Sequence, residues 1–200
     1  MSITRTRVAV VAVAATAALA IGASPALAAD SVTQAVTAGS RTASVANLTL
    51  GSVAYSHSAQ TPTGSMTLTA DDSSGSNAGW NVTVLTSAFV WTVGTGGAST
   101  GTDIPAANFT LTSAAAPAAS AGQAIDLDTD GAGVDIANGP MVPAASPVGT
   151  LDAARKALQA NPGFGKGTYT QALGVSLLIP AQSAAGTYTG TLTTTVAAAP

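Results

Sequence analysis

Apolar and polar side chains alternate through most of the chain after residue 42, the period-two pattern of strands with one buried face. Over residues 43–56, Val45, Leu48, Leu50, Val53 and Tyr55 keep strand spacing. Their phase shifts near Ala46-Asn47 or Gly51-Ser52, which predicts a bulge or a break, because a one-residue slip sends side chains to the opposite face. Residues 65–70 read polar–apolar as Ser-Met-Thr-Leu-Thr-Ala, and the Asp, Ser, Gly and Asn of residues 71–79 make a turn. Trp80, Val82 and Val84 then share one face of a third strand, and Phe89, Trp91 and Val93 one face of its continuation.

Further along, residues 104–112 predict a strand after a Gly/Thr/Ser loop at 94–102. The Ala/Pro stretch 114–121 reads as a connection, 125–127 and 134–136 as short strand-like pieces, and Pro140, Pro143 and Pro147 mark a loop. One segment has helical spacing. Over residues 150–160, Thr150 can cap, Asp152 suits the positive end of the dipole, and Leu151, Ala154 and Leu158 form a stripe that Asn161-Pro162-Gly163 stops. Such a short helix must pack on something to persist. Residues 168–179 and 186–196 predict two long strands joined by residues 180–185. In the last, Tyr188, Gly190, Leu192, Thr194 and Val196 share one face and threonines the other. Seven or more short strands with one minor helix predict an all-β, immunoglobulin-like β-sandwich with one short helix.

The start of the chain reads differently. Arg5 and Arg7 precede an apolar run over residues 8–22, broken only by Thr16, and Pro25 precedes Ala26-Leu27-Ala28. This is the pattern of a secretory signal peptide, residues 1–28, cleaved after an A-x-A site. The run is shorter than the ~20 residues a membrane span needs. The expected mature chain, 29–200, is a single domain without membrane insertion. It keeps Arg41, Arg155, Lys156 and Lys166 against nine aspartates, a net charge of −5.

Composition narrows the chemistry. Charged residues are only 8% of the chain and cysteine is absent. That excludes disulfides, a thiol nucleophile and a Cys/His zinc site. So few bases also argue against nucleic acid, which is bound by clustered Lys and Arg. His57, the one histidine, has no G-x-S-x-G elbow to serve, and Gly94-Thr-Gly96-Gly97 lacks the lysine of a phosphate loop. No pair of aspartates stands out for glycoside hydrolysis, and aromatics for a sugar cleft are scarce. A non-enzyme is therefore expected.

Two features could carry binding. Asp126-Leu-Asp128-Thr-Asp130-Gly131 is a D-x-D-x-D-G run. It either brings three carboxylates onto calcium or is a solvated acidic turn, since the twelfth position of an EF-hand loop is Ala137 here. No other cofactor is suggested. Trp80, Trp91 and Tyr188 either form a ligand platform or fill the sandwich core, with the Tyr188 hydroxyl tied to backbone.

The segment Tyr188-Thr-Gly-Thr-Leu192-Thr193-Thr194-Thr-Val196-Ala-Ala-Ala-Pro200 resembles the C-terminal signature of WxL-domain surface proteins. Tyr188, Leu192, Thr193 and Pro200 match it in type and spacing, Val196 stands for its leucine, and Thr194 stands where the family has its second tryptophan. Gly79-Trp80-Asn81-Val82-Thr83-Val84 is similar to the first W-x-L element, with Val82 for leucine. Gly163-Phe164-Gly165-Lys166-Gly167-Thr168-Tyr169 is similar to the family's Gly-rich stretch before the penultimate strand. The resemblance implies a secreted Gram-positive protein of the cell wall or extracellular surface. Its expected partners are peptidoglycan, bound non-covalently, or other surface proteins of the WxL type; the alternative reading is a structural subunit of a surface assembly or adhesin that pairs through exposed strand edges. It also implies that Trp80, Val82, Leu192, Thr193 and Val196 make the contact. Trp91 or Tyr188 then supplies the aromatic face that Thr194 lacks, or the partner is a different one.

Overall fold

The computed structural model describes residues 33–94, 97–126, 138–144 and 147–198. The chain divides into two units, Met1–Val36 and Thr37–Pro200. In the first, the described residues 33–36 are exposed. All the sheets belong to the second.

The described strands are β1 (Arg41–Val45), β2 (Thr63–Asp72), β3 (Trp80–Thr86), β4 (Val90–Val93), β5 (Phe109–Ala114), β6 (Ala118–Gly122), β7 (Gly149–Thr150), β8 (Arg155–Ala160), β9 (Gly167–Leu177), β10 (Gly186–Thr189) and β11 (Leu192–Ala198). They form three antiparallel sheets. The largest runs β1-β2-β9-β5-β7, with β6 also paired to β9; the second is β11-β3-β8 and the third β10-β4. Its longest pairing joins β2 to β9, from Thr63 opposite Ser176 to Asp72 opposite Gly167.

Alternation decides what lies between the sheets. Met66, Leu68 and Ala70 of β2 and Tyr169, Leu173, Val175 and Leu177 of β9 turn inward from the large sheet. Trp80, Val82 and Val84 of β3 and Leu158 and Ala160 of β8 turn inward from the three-stranded one, and all join a single core cluster. Each large apolar side chain so buried stabilises the fold by about 1.5–3 kcal/mol. The all-β, sandwich-like architecture expected from the alternation is the one observed.

The expected helix over residues 150–160 is not formed. Thr150 closes β7, and Arg155–Ala160 is strand β8, paired to β3. The only helical turn among the described strands and loops is the 3-10 turn Ala106–Asn108. The register of β8 shifts between Val82 and Thr83, so Ala157 is an extra residue, and Ala157 and Leu158 are both buried. That bulge converts a spacing that looked helical into a strand with two adjacent inward residues. Pairing with β3 outweighs the weak intrinsic preference of so short a helix.

Other boundaries moved as well. Of residues 43–56, only 43–45 lie in a strand; the rest runs on without regular pairing, as the phase shift at Ala46-Asn47 suggested. Residues 104–112 split into an isolated Phe89–Ile104 pairing, the 3-10 turn and β5. The 114–121 stretch contains β6. The last long strand breaks at Gly190-Thr191 into β10 and β11, which belong to different sheets, and neither pairs with β9. The pieces expected at residues 127 and 134–136 lie outside the described residues.

Candidate functional site

Trp80 opens β3 and is 1% exposed. Its indole nitrogen donates to the carbonyl of Gly165 at 2.9 Å, and its ring lies 6.2 Å from that of Tyr169. Gly165 has φ +76°, and a Cβ there would sit 2.7 Å from the indole nitrogen. The first W-x-L element and the Gly-rich stretch are thus two halves of one packed joint. Val82 is wholly buried beside them. Trp80 and Val82, expected to make contact, therefore take the core arrangement and present no face to a ligand.

Leu192 and Val196 are half-buried and pack on the core from β11. Thr194 lies between them on the same side, and its hydroxyl donates to the carbonyl of Ala43 in β1 at 3.0 Å. The place of the family's second tryptophan is therefore an inward one. Thr193 points the other way and is exposed.

β3 and β11 pair along their whole length, from Trp80 opposite Ala198 to Thr86 opposite Leu192. The two motif strands consequently share two faces. One is the core face. The other carries Asn81 and Thr83 of β3 and Thr193 and Thr195 of β11, with Thr83 opposite Thr195. β8 extends it with Gln159 opposite Asn81 and the exposed Lys156 opposite Thr83. Leu85 opposite Thr193 and Ala197 opposite Asn81 share this face, which among the described residues is otherwise hydroxyl and amide groups with one charge, Lys156. Sequence reasoning saw the threonine face of β11 but not its continuation, because the pairing partner is about a hundred residues away.

Trp91 and Tyr188 meet elsewhere. They lie directly opposite each other in the β4–β10 pair, on one face. The Tyr188 hydroxyl donates to the carbonyl of Ala184 at 2.9 Å, as a structural tyrosine would. The Trp91 indole is covered by Gly101 and Gly186, where any Cβ would overlap it. Beside Tyr188 opens a cleft of about 580 Å³, bounded by residues 48–56 on one side and 183–190 on the other. Phe89, Ile104, Leu177 and Ile179 form its floor, and among the described residues no charged side chain lines it.

Electrostatic detail is concentrated at the far end of β2. The Arg41 guanidinium pairs with Asp72, Nε to Oδ2 3.1 Å. Burial pushes the Asp72 carboxyl up, but the hydroxyl and amide of Ser74, together with Arg41, outweigh it and hold it below its ordinary value. Burial, then the Asp72 charge, push the Tyr169 phenol up. This cluster braces a turn. His57 stacks edge-on against Tyr55 at 5.3 Å, with rings 83° apart, on the surface.

Of the acidic run, Asp126 is described: its backbone pairs with Gly139, and Asn138 donates to its carboxylate at 3.3 Å. Asp128 and Asp130 lie outside the described residues. Among the described residues no group of three metal-ligating side chains converges, and no helix is long and apolar enough to cross a membrane.

No curated protein and no solved structure matches the chain. The profile of one family does, that of the WxL domain, described as surface cell wall-binding, over residues 17–200. The two segments that resemble W-x-L elements and the Gly-rich stretch fall within that match, and the structure joins them in one folded unit. The chain belongs to the WxL family of surface cell wall-binding domains.

Proposed function

We propose that the chain is a secreted, non-catalytic module that holds peptidoglycan non-covalently through the outer face of the β11–β3–β8 sheet. One observation carries this reading: the two motif strands pair residue for residue, so their polar sides fuse into one surface of Asn81, Thr83, Thr193 and Thr195. Sugar hydroxyls and acetamido groups are neutral donors and acceptors, and so are these side chains. Each hydrogen bond contributes only about 0.5–1.5 kcal/mol. Several on a rigid sheet, with little side-chain entropy to lose, make a workable contact. Trp80 serves by fixing the strand that displays it.

The test is co-sedimentation of the full chain with purified peptidoglycan. The wild type pellets, and the double variant Thr83→Val, Thr195→Val, which removes both hydroxyls and keeps strand-forming side chains, stays in the supernatant with its melting temperature preserved. A wild type that never pellets, or a folded double variant that pellets equally well, overturns the proposal.

A further inference from the structure

The cleft beside β10 has two backbone walls with unused hydrogen-bonding capacity. β10 pairs with β4 along one edge, and no described strand pairs with its other edge. Opposite it, residues 48–55 make no backbone–backbone hydrogen bond among the described residues. The walls are tied at one end, where the amide of Gln182 donates to the carbonyl of Ser56 at 2.9 Å and Gln60 and Ile179 pair through two bonds. An open strand edge over an apolar floor is the geometry that accepts an added strand. With no charged side chain among the described residues of the lining, an uncharged segment fits it best.

The chain itself offers such a segment. Residues 31–40 carry no charge. Residues 33–40 are all exposed, Val36 at 93%. Residues 33–39 make no backbone–backbone hydrogen bond among the described residues, and the first anchor is the Ser40 carbonyl, which accepts from the amide of Ser73 at 3.0 Å.

We infer that residues 33–38 of one copy add as a strand to the open edge of β10 in the cleft of a second copy. Each copy carries both an arm and a cleft, so the exchange either closes as a reciprocal pair or extends from copy to copy. This assembly uses a different surface from the wall-binding face and stands or falls separately from it.

Two substitutions at exposed positions test it. Val36→Asp puts a charge in the arm, and Ala54→Arg puts one in the cleft wall. In sedimentation velocity over a concentration series, the wild type self-associates as concentration rises, and each variant alone is monomeric. Mixed, the two variants form one-to-one dimers and nothing larger, because one retains the cleft and the other the arm. A wild type monomeric throughout, variants that assemble like the wild type, or a mixture that stays monomeric each overturns the inference.

Discussion

Trp80 and Gly165 are 85 residues apart in sequence and joined by one hydrogen bond of 2.9 Å inside the core. This contact locks the start of β3 to the loop that feeds β9. Trp80→Ala is expected to cost about 3–5 kcal/mol, the usual range for emptying a buried aromatic site. Trp80→Phe retains most of the apolar area but leaves the Gly165 carbonyl unsatisfied, a cost of about 1–3 kcal/mol. Urea unfolding measures both. If Trp80 acts through the core alone, the folded Phe variant still pellets with peptidoglycan.

The glycine side of the same contact gives a second prediction. Gly165 has φ +76°, where an L side chain is strained, and its Cβ would press on the indole nitrogen and on Ala160. Gly165→Ala should therefore destabilise by about 1–3 kcal/mol, within the range for backbone held in a sparsely populated conformation. Gly75, also at positive φ (+68°) but with open space around it, has no such clash and should tolerate alanine better in the same unfolding measurement.

Thr194 bears on the missing second tryptophan. Its hydroxyl bridges β11 to β1 through Ala43. Thr194→Val removes that bond and should cost about 0.5–1.5 kcal/mol. Thr194→Trp restores the family's residue at an inward position that β1 already covers. Overfilling it should destabilise by about 1–3 kcal/mol. A tryptophan variant as stable as the wild type would show that the space under β1 is larger than the hydrogen bond implies.

Asp72 predicts an acid dependence. Folding lowers its pKa from the ordinary 3.8, since Ser74 and Arg41 favour the ionised form more than burial disfavours it. A depressed carboxyl stabilises the fold fully above its unfolded pKa, and that stability is lost as pH falls through the folded value. Melting temperature should accordingly drop below pH ~4, the unfolded carboxylate range. Asp72→Asn should lower it at neutral pH and flatten the acid limb. An unchanged acid limb in the variant would remove Asp72 from the account.

The sequence by itself determined the local layers. Its alternation showed that Trp80, Val82 and Val84 share a face, as do Leu192, Thr194 and Val196, because a strand's side-chain period follows from backbone geometry alone. Its Gly-rich stretch was visible as composition; that Gly163, Gly165 and Gly167 all take positive φ was a finding of the structure. The tertiary structure decided the rest. Residues 155–160 became a strand because β3 supplied the hydrogen bonds and the core supplied room for two adjacent side chains. The burial of Trp80, the fusion of two motif strands into one polar surface, and the cleft beside β10 all arise from pairings between residues far apart in the chain. Periodicity within a segment says which side chains travel together; only long-range pairing says what they meet.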